Sequence, residues 1–281
     1  MAETGPQHHE RGSALISALA LSLALATLAV LSIHMVLDIV FMERQQRREM
    51  QVEAGFDSAF AEAMYVLAHS DLPVRFYQEF SVDTAGGSVS VEAYSPLGRV
   101  SLNAAPHRVL SAVLNAAGAS DADAVAAAII DWRDADDLRS NRGAESAEYM
   151  RAGLPAPANR AFRHEEELTQ VLGMTSDVFA CLRNEVTVSS WEEAPDLRIA
   201  SPWLQQLAEM NVGAESDRVD AIISLGTGDL IGLDMRLAPD WPVERRLSVL
   251  VRLTGSQHNP YLIQAWEPVA LYTQGCGGQG T

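Results

Sequence analysis

The sequence predicts an α+β protein: a long N-terminal helix, a β-containing domain behind it, and an all-α block inserted into that domain. Three observations carry the prediction. Between Ala14 and Leu37 no ionisable side chain appears except His34, and an amphipathic repeat, Val52, Phe56, Phe60, Met64 and Leu67, follows with no proline between Pro6 and Pro73. Strand-like alternation fills residues 72–103 and returns from 186 onward. Between those two stretches the apolar residues recur at helical spacing.

Composition narrows the function before any motif does. The 281 residues are 48% hydrophobic, enough to bury real cores, and 37 acidic against 20 basic side chains give a formal net charge of −17. Such a chain repels a nucleic-acid backbone at long range. Lysine is absent, so every basic residue is arginine. That removes a Walker A phosphate loop and Schiff-base chemistry, both of which need an amine. Cys181 and Cys276 are far apart and form no CxxC, which excludes a zinc ribbon or a thioredoxin motif. The sequence leaves open whether they pair.

The first element is a membrane span over residues 13–40. Its apolar run of ~24 residues at ~1.5 Å each crosses a hydrocarbon core of ~30 Å and exceeds the ~7–15 residues of a cleaved secretory signal. Arg11 alone precedes it while Arg44, Arg47 and Arg48 follow, opposite to the usual cytoplasmic bias. Residues 41–70 continue the same helix amphipathically, giving one rod from about Ser13 to about Ala68, on the order of 80 Å long.

Strand signals come next: Val74, Phe76, Phe80 and Val82 lead into Gly86-Gly87, and Val89, Val91 and Ala93 alternate beyond it, predicting a hairpin. Pro106 opens a helix to about Asn115, closed by Gly118, and Ser120 with Asp123 caps another over about 121–132. A charged loop runs from Arg133 to Arg163, before short helices at Glu165–Leu172 and Ser176–Arg183. Strand signal returns at 186–189, Pro202 starts a helix to about Met210, and two hairpins follow. In the first, Ile222–Leu225 and Leu230–Leu237 flank Gly226–Asp229; in the second, Arg246–Leu253 and Tyr261–Trp266 flank Gly255–Pro260. The glycine-rich tail, 274–281, is expected to fray.

The densest chemistry is Asp131-Trp132-Arg133-Asp134-Ala135-Asp136-Asp137, then Glu145, Glu148 and Asn159. Hard oxygen donors without His or Cys suit calcium rather than zinc. An EF-hand register fails, because counting from Asp134 puts Leu138 and Arg139 where an oxygen ligand and a glycine are needed. A solvated acidic loop and a hydrolytic carboxylate pair remain alternatives, the latter lacking a nearby His or nucleophile. The segment "LTQVLGMT" is similar to a helix-hairpin-helix entry that holds a DNA phosphate, yet Glu165, Glu166 and Glu167 adjoin it. His8, His9, His107, His164 and His258 are scattered and suggest no site.

The leader 1–12 ending in Arg11-Gly12, followed at once by the apolar half-helix, resembles the class III signal of type IV pilins and type II secretion pseudopilins. That resemblance implies cleavage by a prepilin peptidase between Gly12 and Ser13 and methylation of the new terminus. Where major pilins carry a glutamate five residues after the cut, this chain has Ser17. An acid in hydrocarbon needs a partner, and a subunit with none ahead of it in the filament lacks one, so Ser17 suits a tip position.

"GRVSLNAAP" at 98–106, "IIDWRDADD" at 129–137, "GAESAEYM" at 143–150, "PAPANRAF" at 155–162 and "EELTQVLGMT" at 166–175 together resemble the minor pseudopilin family called general secretion pathway protein K. The resemblance implies a pilin-like α/β domain at 71–102 and 185–273, an inserted α-domain at 103–184, and calcium on the latter. It places ligands at Asp131, Asp134, Asp136, Glu145 and Asn159, with Asp137 and Glu148 as substitutes. Ser146 stands where the family has an aspartate. It further implies a non-enzymatic tip subunit of the pseudopilus, anchored in the inner membrane with its bulk in the periplasm. Its partners would be other minor pseudopilins, the inner-membrane assembly platform and the prepilin peptidase, with no nucleic acid. The competing readings are a minor pilin of a surface-pilus or DNA-uptake machine and a plain bitopic membrane protein.

Overall fold

A computed structural model describes residues 10–69, 76–212, 226–256, 258–269 and 276. The chain forms two compact units, Met1–Ala54 and Gly55–Thr281. Most of the leader, Val74, the strand expected at 222–225 and the tail other than Cys276 lie outside the described residues.

Helix α1 runs over Glu10–His69, 60 residues. In the first unit its side chains from Leu15 through Met42 are exposed, and an 18-residue window reaches mean hydropathy 2.3. By length and composition it can cross a membrane. Three of its hydroxyls are satisfied internally: Ser22, Thr27 and Ser32 each donate to a carbonyl one turn back, Ala18, Ala24 and Leu28, at 2.8 Å. Such self-satisfaction is what a low-dielectric surrounding requires of a polar group.

In the second unit the remainder of α1 turns amphipathic and buries Phe56, Ala59, Phe60, Ala63 and Met64. These residues share one face by three- and four-residue spacing. They meet a five-stranded antiparallel sheet ordered β1-β2-β5-β6-β7, in which β1 is Glu79–Thr84, β2 Gly87–Tyr94, β5 Leu230–Leu237, β6 Arg246–Leu253 and β7 Tyr261–Val269. Alternate residues bury: Val89, Val91 and Ala93 on β2, Ile231, Leu233 and Met235 on β5, Leu247, Val249 and Val251 on β6. Phe60 meets Tyr261 and Trp266 edge-on at ring separations of 5.4 and 5.3 Å, closing the β7 side.

Trp241, from the β5–β6 loop, locks the other side. Its indole N–H donates to Ser88 O at 2.9 Å, and a Cβ at Gly86 would lie 2.3 Å from its ring. Only a residue without a side chain lets the turn approach the indole so closely. The expected hairpins form at β1–β2 and β6–β7. Strand β1 starts later than the alternation suggests, because Tyr77 adopts φ 58° and takes the chain out of extended geometry.

The helical block leaves the sheet after β2 and returns at β5. Short strands β3, Val100–Ser101, and β4, Val186–Thr187, pair in parallel at its root. It comprises α2 (His107–Ala116), α3 (Ala122–Arg133), α4 (Ser146–Arg151), a 3-10 turn at Glu165–Gln170, α5 (Ser176–Leu182) and α6 (Pro202–Val212). Its own core centres on Leu102, Leu110, Ile129, Tyr149, Leu168 and Phe179, and α6 adds Leu204 and Leu207. Two local expectations shift. The helix expected at 165–172 is a 3-10 turn, and α3 is capped by Asp121, which accepts from Ala124 N at 3.2 Å, rather than by Ser120.

Two devices join block and sheet. Arg99 is buried, with its guanidinium carbon 3.3 Å from the Tyr94 ring centroid and its Nη2 donating to Asp234 Oδ2 on β5 at 3.2 Å. The second is covalent: Cys181 of α5 is disulfide-bonded to Cys276 near the C-terminus, settling the pairing that the sequence left open.

Candidate metal site on the acidic loop

The acidic loop starts where α3 ends. Arg133 fixes that end by donating to Leu102 O and Ala105 O at 2.6 and 2.8 Å. Trp132 faces inward, stacked on Phe162 at 5.8 Å and tilted against Tyr149 at 6.1 Å, so the turn of helix before the loop is rigidly seated. The residue before it, Asp131, is fully buried.

Asp131 closes the loop. Its carboxylate accepts the Ser140 N–H at 3.2 Å and the Ser140 hydroxyl. A Cβ at Gly143 would lie 2.0 Å from Asp131 Oδ2, so glycine is the residue that lets the returning strand of the loop pass this close. Next to it, Arg142 holds φ 66° and pairs with Asp121 at 2.6 Å and Asp123 at 3.7 Å, tying the loop's far end to the start of α3. Sequence reasoning missed Ser140 and Arg142 and gave Gly143 no role beyond its place in the motif at 143–150; no motif spacing connects them to α3, and only the return of the chain does.

The remaining oxygens are differently engaged. Asp136 accepts from Leu138 N at 2.8 Å. Asn159, at φ 45°, donates from Nδ2 to Asp136 O at 3.1 Å and Asp137 Oδ1 at 2.9 Å. Glu148 receives the Glu145 N–H at 3.1 Å and pairs with Arg151 and Arg139 at 2.9 and 3.4 Å. Those hydrogen bonds hold its carboxyl below the usual carboxylate range.

On this loop four buried oxygens have no hydrogen-bond partner among the described residues: Asp134 Oδ1, both carboxylate oxygens of Glu145, and Asn159 Oδ1. Burial, then the charges of Asp131, Asp134, Asp137 and Asp136, push the Glu145 carboxyl up to about 7. Burial, with Asp136 and Asp131, also raises Asp134. Orphaned buried acceptors are costly, and hard oxygen donors gathered on one loop are of the kind a divalent cation takes. They form no closed cage: among the described residues no group of three or more His, Cys, Asp or Glu converges closely enough to hold a metal ion as it stands. The donor set nevertheless fits a hard divalent cation. The structure brings Asp131, Asp134, Asp136 and Glu145 into one electrostatic neighbourhood and ties Asn159 to the same loop. Asp131 differs from the others in already having hydrogen-bond partners.

Several backbone amides in and near the segment similar to a helix-hairpin-helix are engaged within the protein, Met174 N donating to Val171 O at 3.1 Å. Asp121 caps α3 and carries Arg142, Leu172 N donates to the Tyr149 hydroxyl at 3.1 Å, and Val178 N donates to Thr175 Oγ1 at 3.3 Å.

A long apolar helix whose second part lies on an antiparallel sheet, interrupted by a helical block, defines a pilin-like subunit with an inserted domain. The comparisons with known proteins narrow this. Residues 91–190 match the family model described as type II secretion system (T2SS), protein K. A solved structure, the GspK-GspI-GspJ complex from the enterotoxigenic Escherichia coli type 2 secretion system, contains a chain similar to this one. Its TM-score is 0.55 at 17% identity, with 81% of this chain and 100% of that chain covered. No curated protein matches significantly. The likeness to type II secretion protein K thus covers residues 91–190, and the solved chain shows that the fold is shared.

Proposed function

We propose that this chain is the tip subunit of a type II secretion pseudopilus, which it nucleates and caps for the export of folded proteins. The observation that carries the reading is topological. Adjacent strands β2 and β5 are separated in sequence by the whole helical block, so a bulky domain is grafted onto one place in a pilin-like fold. A subunit built this way adds to a filament from below and obstructs addition above. Its role is structural rather than enzymatic.

In this reading α1 anchors the chain in the inner membrane, a prepilin peptidase cuts between Gly12 and Ser13, and the globular unit stands in the periplasm. An oxidising compartment agrees with the Cys181–Cys276 disulfide. The partners are two other minor pseudopilins, by analogy with the GspK-GspI-GspJ complex, and the assembly platform. Calcium is held by Asp134, Glu145 and Asn159, whose oxygens are orphaned, with Asp136 beside them and Asp131 closing the loop. Bound there, the cation supplies charge neutralisation and rigidity rather than reaction chemistry.

Immunogold labelling of the C-terminal tail on pseudopili assembled with the full chain tests the tip position. Label at one end of each filament is the expected result, and label along the length contradicts the reading.

A further inference from the structure

Three arginines follow the apolar run of α1 where positive charge is least expected. Arg44, Arg47 and Arg48 stand on the side that the proposed topology puts in the periplasm, against Arg11 alone on the other, and arginine just beyond a span disfavours its translocation. Arg47 pairs with Glu43 at 2.6 Å and neutralises the nearest acid. Arg44 and Arg48 are exposed, and neither has a hydrogen-bond or ion-pair partner among the described residues.

The helix fixes their height. Because α1 is continuous over Glu10–His69, rise per residue converts sequence into depth. Past Asp38, where the run without acids ends, Ile39–Met42 extends about 6 Å, the thickness of one interfacial layer of a bilayer. Arg44 then stands about 3 Å above Met42, and Arg48 about 9 Å above it. Side chains on a helix lean toward its amino terminus, which here is toward the bilayer, so both guanidinium groups are carried back to headgroup level. Four residues apart, they share a face about 40° wide, from which Asp38 is displaced by about 80–120°. Glu49 and Glu53 lie further from the bilayer.

We propose that Arg44 and Arg48 bracket the phosphate of an anionic phospholipid in the periplasmic leaflet. Each planar guanidinium donates two parallel N–H bonds to phosphate oxygens, a geometry that lysine, absent from this chain, does not offer. What surrounds a helix where it leaves the hydrocarbon is a layer of phosphates, and two unpaired cations at that level complement it in charge. The bound headgroup sets the depth of α1 and holds the subunit until filament contacts replace the lipid. The proposal rests on the reading that α1 spans the inner membrane with the globular unit in the periplasm.

Native mass spectrometry of the detergent-solubilised full chain tests the site, with phosphatidylglycerol, phosphatidylcholine and inorganic phosphate titrated in separate arms. The wild type is expected to bind one phosphatidylglycerol about tenfold more tightly than phosphatidylcholine. R44Q/R48Q, which keeps helix propensity, should abolish that preference. Equal binding of the two lipids by the wild type, or a preference that survives R44Q/R48Q, overturns the site. Inorganic phosphate that displaces phosphatidylglycerol at equal concentration marks a free-anion site and overturns the lipid as its occupant. Alkaline carbonate extraction of the chain from phospholipid vesicles reports membrane integration separately. A wild type released by carbonate overturns the membrane reading, whereas an integrated chain without the lipid preference overturns this proposal alone.

Discussion

The disulfide joins the helical block to the chain end and offers a stability change that can be worked from the fold. Cys181 and Cys276 stand 95 positions apart, and the chain between them contains β4, α6 and the strands β5, β6 and β7. Closing a loop of this length restricts the unfolded chain by up to about 4.7 kcal/mol, and removal of a native bridge typically costs about 2–5 kcal/mol. For a unit of this size each kcal/mol moves Tm by roughly 2–4 °C. C181S/C276S should therefore melt roughly 10 °C below wild type, as followed by tryptophan fluorescence on the detergent-solubilised full chain. Reductant should lower the wild type by a similar amount and leave the double variant unmoved. A wild type insensitive to reductant, or a substitution shift below about 2 °C, would refute the claim that this bond holds block and sheet together.

Other outcomes follow from the loop and the junction. Calcium should raise the Tm of the wild type and leave E145A unchanged, whereas the two should melt more nearly together in chelator. For the metal-free protein the Glu145 carboxyl is raised from its ordinary value of 4.5 to about 7. The folded state therefore binds more protons than the unfolded one across that window, and stability falls as pH rises through it; calcium should flatten this slope, which chelator titrations of Tm against pH will read. G143A brings a Cβ against Asp131 and should cost about 1–3 kcal/mol in chemical denaturation, together with weaker calcium binding by calorimetry. R99A leaves half-buried Asp234 without its ion-pair partner and should cost about 3 kcal/mol, read by the same denaturation; a loss under 1 kcal/mol would mean that the junction does not depend on this pair.

The sequence discloses what periodicity and turn chemistry encode. Helix α1, the β1–β2 and β6–β7 hairpins, α2 and the insertion of a helical block were legible because each rests on local repeats. The 3-10 turn at 165–170 was not, since Leu168 is driven into the core by tertiary packing that a local reading does not see. The same limit applied to the site. Asp134, Glu145 and Asn159 could be named as oxygen donors, but that Asp131 is already engaged by Ser140 follows from a chain reversal nine residues long. Nor could spacing reveal Arg99, whose partners Tyr94 and Asp234 come from two different strands.

A pseudopilin is defined by how its amino terminus is processed. Intact-protein mass and amino-terminal sequencing after co-expression of the full chain with a prepilin peptidase give the answer. Cleavage after Gly12 with a methylated Ser13 is the predicted result; a chain that keeps Met1, or is cut elsewhere, would contradict the pseudopilus assignment.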